Sequence, residues 1–408
     1  MRPQSLGVAA CALIAVGSFG AGATRYRGGL LRAAGLEHLS YGHGRALMDV
    51  LLTAGIFGLV LAWVLLWKTH PGLAQVRRSV CWWAGILAVS APILSRDVYS
   101  YLMQGAMLRD GYDPYSEGAA VNPGPYLWEV SHDWRNTTTP YGPLHLGMGK
   151  AVTWLVGENV TLGLVVYRLI SLAGFALIMW ALPRIAKQIG GDPALALWLG
   201  AANPVMLLHL IGGMHNEAVM VGLVSVGLLW CLRSRWCTPG IALIALAVSL
   251  KATAAVALPF VVWLMVKRRS ATTLGAAGML VACGAWALAV NVAVIQLVTW
   301  ASGTTWGWLE EITGNSKVIN PLAGPTLAAE LITPVLQLFD DTFRYNTALT
   351  WTRTIFSALM LVGLAVVWWI FRPRRGEDYE RRAVAGTTAA YAVAFATNAV
   401  TLPWYYAS

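Results

Sequence analysis

Residues 239–266 read P-G-I-A-L-I-A-L-A-V-S-L-K-A-T-A-A-V-A-L-P-F-V-V-W-L-M-V, with Arg233 and Arg235 before them and Lys267, Arg268 and Arg269 after. At about 28 residues the block exceeds the roughly 20 that one upright helix needs to cross a bilayer. A single span would put the two basic flanks on opposite sides. Two short spans turning at Lys251 keep both flanks on the inner side, as the positive-inside rule asks.

Working outward, windows of about 19 residues mark further spans near 5–23, 46–67, 79–95, 161–183, 194–212, 216–232, 271–300, 349–371 and 383–402. With the hairpin, the expectation is a single transmembrane domain over residues 1–408, about eleven spans with the N-terminus cytoplasmic. The fold class is an all-α polytopic membrane protein. Composition leaves no room for a soluble globular chain: 57% of the 408 residues are apolar and only 12% are charged, where soluble chains carry about 25%. Residues 1–23 can also be read as a cleaved signal, since Arg2 precedes an apolar run and A-G-A follows, but an uncleaved first span is the preferred reading.

The net charge of +10 invites a nucleic-acid reading until it is mapped. In this topology sixteen basic and four acidic residues face inward, so the charge follows orientation and no nucleic-acid partner is implied. The first outer loop, 24–45, runs against the rule with Arg25, Arg27, Arg32 and Arg45. The five cysteines lie in or beside apolar stretches without a C-x-x-C pair, so neither a disulfide framework nor a zinc site is indicated.

Two outer segments, 96–160 and 301–348, are too long to be connectors, and long loops in compact proteins are usually functional. The first opens S-R-D-V-Y-S-Y-L-M-Q-G-A-M-L-R at 95–109. Val98, Tyr101, Leu102, Gly105 and Leu108 share one face, which predicts an amphipathic helix on the outer membrane surface with Ser95 as N-cap and Asp97 in its first turn. Asp97 could simply complement the helix dipole. Turns rich in proline, glycine and tyrosine follow, holding Tyr112, Asp113, Tyr115 and Tyr141. Such aromatics serve as interface anchors or stack on sugar rings. Residues 143–156 are apolar but too short to span, and read as an interfacial or re-entrant helix.

A second polar cluster, N-P-V-M-L-L-H-L-I-G-G-M-H-N-E at 203–217, brings Asn203, His209, His215, Asn216 and Glu217 to the outer ends of two spans. Ionisable groups at such depth are functional candidates. His215 and Glu217 lie two apart with no third ligand at a familiar spacing, so hydrogen bonding is favoured over a metal. Lys251 needs either a distant carboxylate such as Glu217 or an anionic ligand, and a phosphate is the favoured partner. The 301–348 segment adds a polar lip, T-G-N-S-K-V-I-N-P, with Lys317, near Glu310, Glu311, Asp340 and Asp341. These adjacent acids fix no separation of the kind glycosidases need.

Six strings together resemble the multi-spanning glycosyltransferases of the C type, and more narrowly the actinobacterial polyprenol-phosphate-mannose-dependent α-1,6-mannosyltransferases of lipomannan and lipoarabinomannan assembly. They are S-R-D-V-Y-S-Y (95–101), G-Y-D-P-Y (111–115), T-P-Y-G-P-L (139–144), residues 203–217, G-N-S-K-V-I-N-P (314–321) and L-P-W-Y-Y (402–406). The resemblance spans nearly the whole chain. It implies a helix bundle whose outer-face loops carry interfacial helices, and an inverting transfer of mannose from polyprenyl-phosphate-mannose to a growing α-1,6-mannan acceptor glycolipid. The reaction would take place on the extracytoplasmic face of the cell membrane, with no cofactor.

The family's acid in the first outer loop, which acts as general base, corresponds to Asp97. The chemistry fits, because a sugar phosphodiester already carries a good leaving group and only the acceptor hydroxyl needs activation. Lys251, with Lys317 and His215, is expected on the donor phosphate, and Tyr112, Asp113, Tyr115, Tyr141, Asn216 and Glu217 around the sugars. Family members usually continue past the P-W-Y string with more spans, so a C-terminal truncation after Ser408 is expected. Two other readings remain: an arabinofuranosyl donor on the same kind of lipid, and a secondary transporter. Against the transporter stand the lack of an internal repeat and the clustering of polar residues outside rather than at mid-depth.

Overall fold

A computed structural model of the chain describes residues 2–233, 237–269, 275–314, 319–374 and 376–407. No strand occurs among them. The first half is built from α1 (Pro3–Ala21), α2 (Gly42–Lys68), α3 (Leu73–Leu87), α4 (Asp97–Arg109), α5 (Pro143–Val156), α6 (Val160–Gln188) and α7 (Pro193–Gly200). The second half comprises α8 (Glu217–Leu232), α9 (Cys237–Val248), α10 (Leu258–Arg269), α11 (Ala276–Ser302), α12 (Trp308–Gly314), α13 (Gly324–Gln337), α14 (Tyr345–Ile370) and α15 (Tyr379–Thr397).

Helices α1, α2, α6, α11 and α14 are long and apolar enough to cross a membrane. Their starts follow local chemistry: Pro3 occupies the first turn of α1, and the Asn159 side chain accepts the Leu162 N–H at the head of α6. A further apolar pair is bent, as in a broken span or a re-entrant loop. The wide π-type turns of Met206–Gly212 and helix α8 meet at 114°, and between them Met214 holds a left-handed φ of 56°. A non-glycine residue there is strained, and such strain gathers at functional sites.

Interrupted helices leave backbone carbonyls that must be satisfied inside the protein. Buried Arg168 of α6 does this, donating to Leu87 O at 3.1 Å, Ser90 O at 2.8 Å and Ile211 O. It ties the end of α3 to the end of the π-type segment.

The block at 239–266 folds as α9 and α10 joined by a 3-10 stretch, Ala252–Ala257, with Lys251 just before it. At the far rim Arg268 donates to Cys231 O and to Leu232 O and pairs with Glu380 at 3.0 Å, so the end of α8 and the basic end of α10 lie together. At the other rim Leu144 N–H donates to Ser249 O and Gly142 N–H to Leu250 O. The backbones approach so closely that a Cβ on Gly142 would stand 2.3 Å from Ser249 O.

Two expectations change here. Helix α4 is enclosed by protein rather than laid on a surface: Val98, Tyr99, Ser100, Leu102, Met103 and Met107 are all buried. Its polar residues find partners inward, Tyr99 Oη donating to Ala23 O at 2.8 Å, and its crossing with α5 is a bare contact of Gly105 on Gly149. Its N-cap is Arg96, while the Ser95 hydroxyl accepts the Asp97 N–H at 3.1 Å. The amphipathic helix with an open apolar face is α13, which exposes Leu327, Leu331 and Val335.

Three of the four arginines of 24–45 that run against the charge rule are used locally. Arg25 pairs with buried Glu129 at 3.3 Å, Arg27 lies 4.2 Å over Trp128, and Arg45 reaches Asp49 at 3.8 Å.

Candidate active site

The head of α4, the break before α8, the turn before Ala252–Ala257 and the segment Pro403–Ala407 converge at one rim of the bundle. Asp97 supplies a carboxylate whose side chain is 17% exposed. His215 Nδ1 lies 3.4 Å from Asp97 Oδ2, within ion-pair reach but out of line for a straight hydrogen bond. The His215 ring stacks on Trp404 with centroids 4.0 Å apart, and His209 flanks both rings.

Burial by itself raises the Asp97 carboxyl. The neighbouring His215 imidazole, the Ser95 hydroxyl and the charge of Lys251 outweigh it and hold the group below its ordinary value. Asp97 is therefore a carboxylate, able to accept a proton.

Lys251 Nζ is bonded to Glu217 Oε1 in the interior and sits 4.0 Å over the Tyr405 ring and 5.7 Å over Tyr141. Of the two partners open to Lys251 from the sequence, the carboxylate is the one in place. Tyr141 also packs on His145, with centroids 4.4 Å apart.

His145 links the helices: Nε2 lies 3.1 Å from Gln104 Oε1 and Nδ1 3.2 Å from Asn216 Nδ2. Burial, followed by the charge of Lys251, pushes its pKa down to about 3. A neutral ring that donates from Nε2 and accepts at Nδ1 satisfies both amides, which a protonated ring could not. Three further atoms, His209 Nδ1, Asn216 Oδ1 and Glu217 Oε2, are buried without a partner among the described residues. The cluster thus keeps hydrogen-bonding capacity for a ligand rich in hydroxyls.

Asp97, Tyr141, His215, Asn216, Glu217 and Lys251 are brought together. Tyr112, Asp113 and Tyr115 are placed otherwise. Tyr112 packs against the core around α4, and Asp113 accepts from Tyr115 N–H and Ser116 Oγ within its own turn. Tyr115 is buried with Gly307 against its ring. Lys317 lies outside the described residues. His145, Gln104 and Trp404 were missed as individual site residues. His145 and Gln104 look like isolated polar positions in helices, whereas the L-P-W-Y-Y string already carried the signal for Trp404.

These features define a multi-pass membrane protein whose ionisable and aromatic residues converge on one cluster at a rim. The sequence model of a family described as "Alpha-(1->6)-mannopyranosyltransferase, N-terminal domain" matches residues 4–267. The chain is 54% identical over 419 residues to alpha-(1->6)-mannopyranosyltransferase A of Corynebacterium glutamicum, covering 97% of this chain and 84% of that one. It is 39% identical over 410 residues to alpha-(1->6)-mannopyranosyltransferase A of Mycobacterium tuberculosis, covering 99% and 78%. No solved structure matches it. The chain belongs to the alpha-(1->6)-mannopyranosyltransferase family. It is a glycosyltransferase, moving mannose from a sugar donor to an acceptor.

Proposed function

We propose that the enzyme takes mannose from polyprenyl-phosphate-mannose and adds it to the growing α-1,6-mannan of lipomannan or lipoarabinomannan. In this reading the chain lies in the cell membrane with its N-terminus cytoplasmic and about eleven spans, and the Asp97 rim faces the extracytoplasmic side. The observation that carries the reading is the ionised Asp97 carboxylate beside His215, within one cluster with the Lys251 cation and the rings of Tyr141, Trp404 and Tyr405.

The step is a single displacement with inversion. The acceptor hydroxyl oxygen attacks the anomeric carbon as the bond from that carbon to the phosphate oxygen breaks. The hydroxyl proton passes to Asp97, and the electron pair leaves with polyprenyl phosphate. The leaving group needs no general acid, because a phosphate monoester is a stable anion; what it needs is positive charge nearby, and Lys251 supplies it. Lys251 already has Glu217 as partner, so the donor phosphate is its second anion; Glu217 fixes the lysine through Oε1, and its Oε2, buried without a partner among the described residues, is left for the sugar. His215 lies on the same side, and Lys317 remains a candidate for the same phosphate. Tyr141, Asn216 and Glu217 border the transferred sugar; Tyr112, Asp113 and Tyr115 lie along the loop an extended acceptor would follow.

The test uses membranes containing the full chain, labelled polyprenyl-phosphate-mannose and a short α-1,6-mannan acceptor. Asp97→Asn should lower transfer by about 100-fold or more, the range removed with a general base. Transfer at the unchanged rate would overturn the assignment.

A further inference from the structure

Glu129 takes no part in the transfer step, yet it is buried to 1% exposure. Its Oε1 accepts from Arg25 Nε at 3.3 Å and from Arg27 N–H at 3.2 Å. Its Oε2 accepts from Tyr26 N–H at 2.6 Å and from Arg96 Nη2 at 3.3 Å. The Glu129 backbone carbonyl accepts from the same guanidinium, from Nε at 3.2 Å and Nη2 at 2.7 Å, while Nη1 donates to Thr24 O at 2.6 Å. The rings of Tyr26 and Tyr99 lie 3.6 and 4.5 Å from the Arg96 guanidinium carbon.

Arg96 is the N-cap of α4 and Asp97 is the helix's first residue. A planar guanidinium whose nitrogens all donate to fixed acceptors, with rings packed against it, has one low-energy orientation. The peptide joining it to Asp97 is fixed with it. From these contacts we propose that Glu129 is a positioning residue for Asp97, acting through Arg96 to hold the first turn of α4 and hence the carboxylate against the acceptor hydroxyl. The inference rests on the reading of Asp97 as the base. It accounts for a buried acid that gathers the 24–27 loop, the turn at 125–129 and the head of α4 around a single side chain. It also gives the basic loop a task, since Arg25 supplies part of the countercharge that keeps Glu129 in place.

The experiment measures kcat and the donor KM for the full chain in membranes. Glu129→Gln and Arg96→Lys should each lower kcat by about 10- to 100-fold, the size of loss that small misplacements of reacting groups produce. The donor KM should move less than about 3-fold, and Glu129→Asp should recover part of kcat. Combined with Asp97→Asn, Glu129→Gln should bring no further loss of the residual rate. Full kcat in Glu129→Gln beside an inactive Asp97→Asn overturns this inference alone, as does an undiminished further loss in the combined variant. Full activity of Asp97→Asn overturns the base assignment and this inference with it. If Glu129→Gln does not accumulate in membranes, Arg96→Lys decides by the same kcat criterion.

Discussion

His215 Nδ1 stands 3.4 Å from Asp97 Oδ2, and the face of the same imidazole rests on Trp404. One ring therefore sets the charge environment of the proposed base and is itself held by an aromatic from the far end of the chain. The sign of its effect follows. Burial favours the protonated acid, while the imidazole, Ser95 and Lys251 favour the carboxylate and prevail. As pH falls, Asp97 stays ionised past its ordinary value near about 4.

His215→Phe keeps a ring on Trp404 but removes the nitrogens, leaving burial less opposed. The Asp97 carboxyl should then titrate higher, and the acidic limb of kcat/KM should move to higher pH. A profile carried from about pH 8 down to about pH 3, below the ordinary carboxyl value, reads this directly. A limb that stays where it was in the unchanged enzyme would separate His215 from the ionisation of Asp97.

The Lys251–Glu217 pair makes a different prediction, about stability. Both side chains are buried, at 7% and 0% exposure. Removing one partner leaves a buried charge alone, typically at a cost of about 3–5 kcal/mol. Lys251→Met and Glu217→Gln should each lower Tm in detergent, and the double variant should melt above the Lys251→Met single. Strict additivity of the two losses would show that the residues do not depend on each other. Transfer should be lost in Lys251→Met and in the double variant, since neither retains the cation for the donor phosphate.

What the sequence made legible was type and neighbourhood: the apolar runs, the interruption at Lys251, and polar strings that stood out because membrane segments rarely tolerate them. It did not make pairings legible. Lys251 and Glu217 lie in different helices, and only the fold decides that the carboxylate reaches the lysine. The reading of α4 as a surface helix failed for a related reason. Periodicity scores Tyr99 and Gln104 as polar, but both find acceptors or donors inside, at Ala23 O and His145. The acid at 129 gave no signal at all, because its partners are two backbone N–H groups and arginines far away in the sequence.

The crossing of α4 on α5 depends on two glycines in contact. A Cβ on Gly105 would lie 2.2 Å from the carbonyl carbon of Gly149, which is backbone and cannot step aside. Gly105→Val should therefore force the helices apart, at a cost of about 1–3 kcal/mol, and shift the head of α4 with them. Tm and kcat should both fall. Gly85→Ala is the control: nothing stands within 4 Å of its added Cβ, and a helical alanine is favoured over glycine by about 1 kcal/mol. Equal tolerance of both substitutions would contradict the close crossing.

Arg168 tests whether the interrupted helices are held by side-chain chemistry. Its guanidinium donates to Leu87 O, Ser90 O and Ile211 O from a buried position on α6. Leu87 O also accepts the Ser90 N–H at 3.1 Å, whereas Ser90 O and Ile211 O lie where α3 and the π-type segment give out and helical N–H groups run short. A lysine keeps the charge but presents one nitrogen instead of a fork, so Arg168→Lys should leave at least one carbonyl unsatisfied, at about 1–3 kcal/mol. Ile211 precedes the strained turn at Met214 and the His215–Glu217 string, so loosening it should also blunt transfer. The expected result is a lower Tm together with a reduced kcat. An unchanged Tm would mean that the break before α8 is held by packing alone.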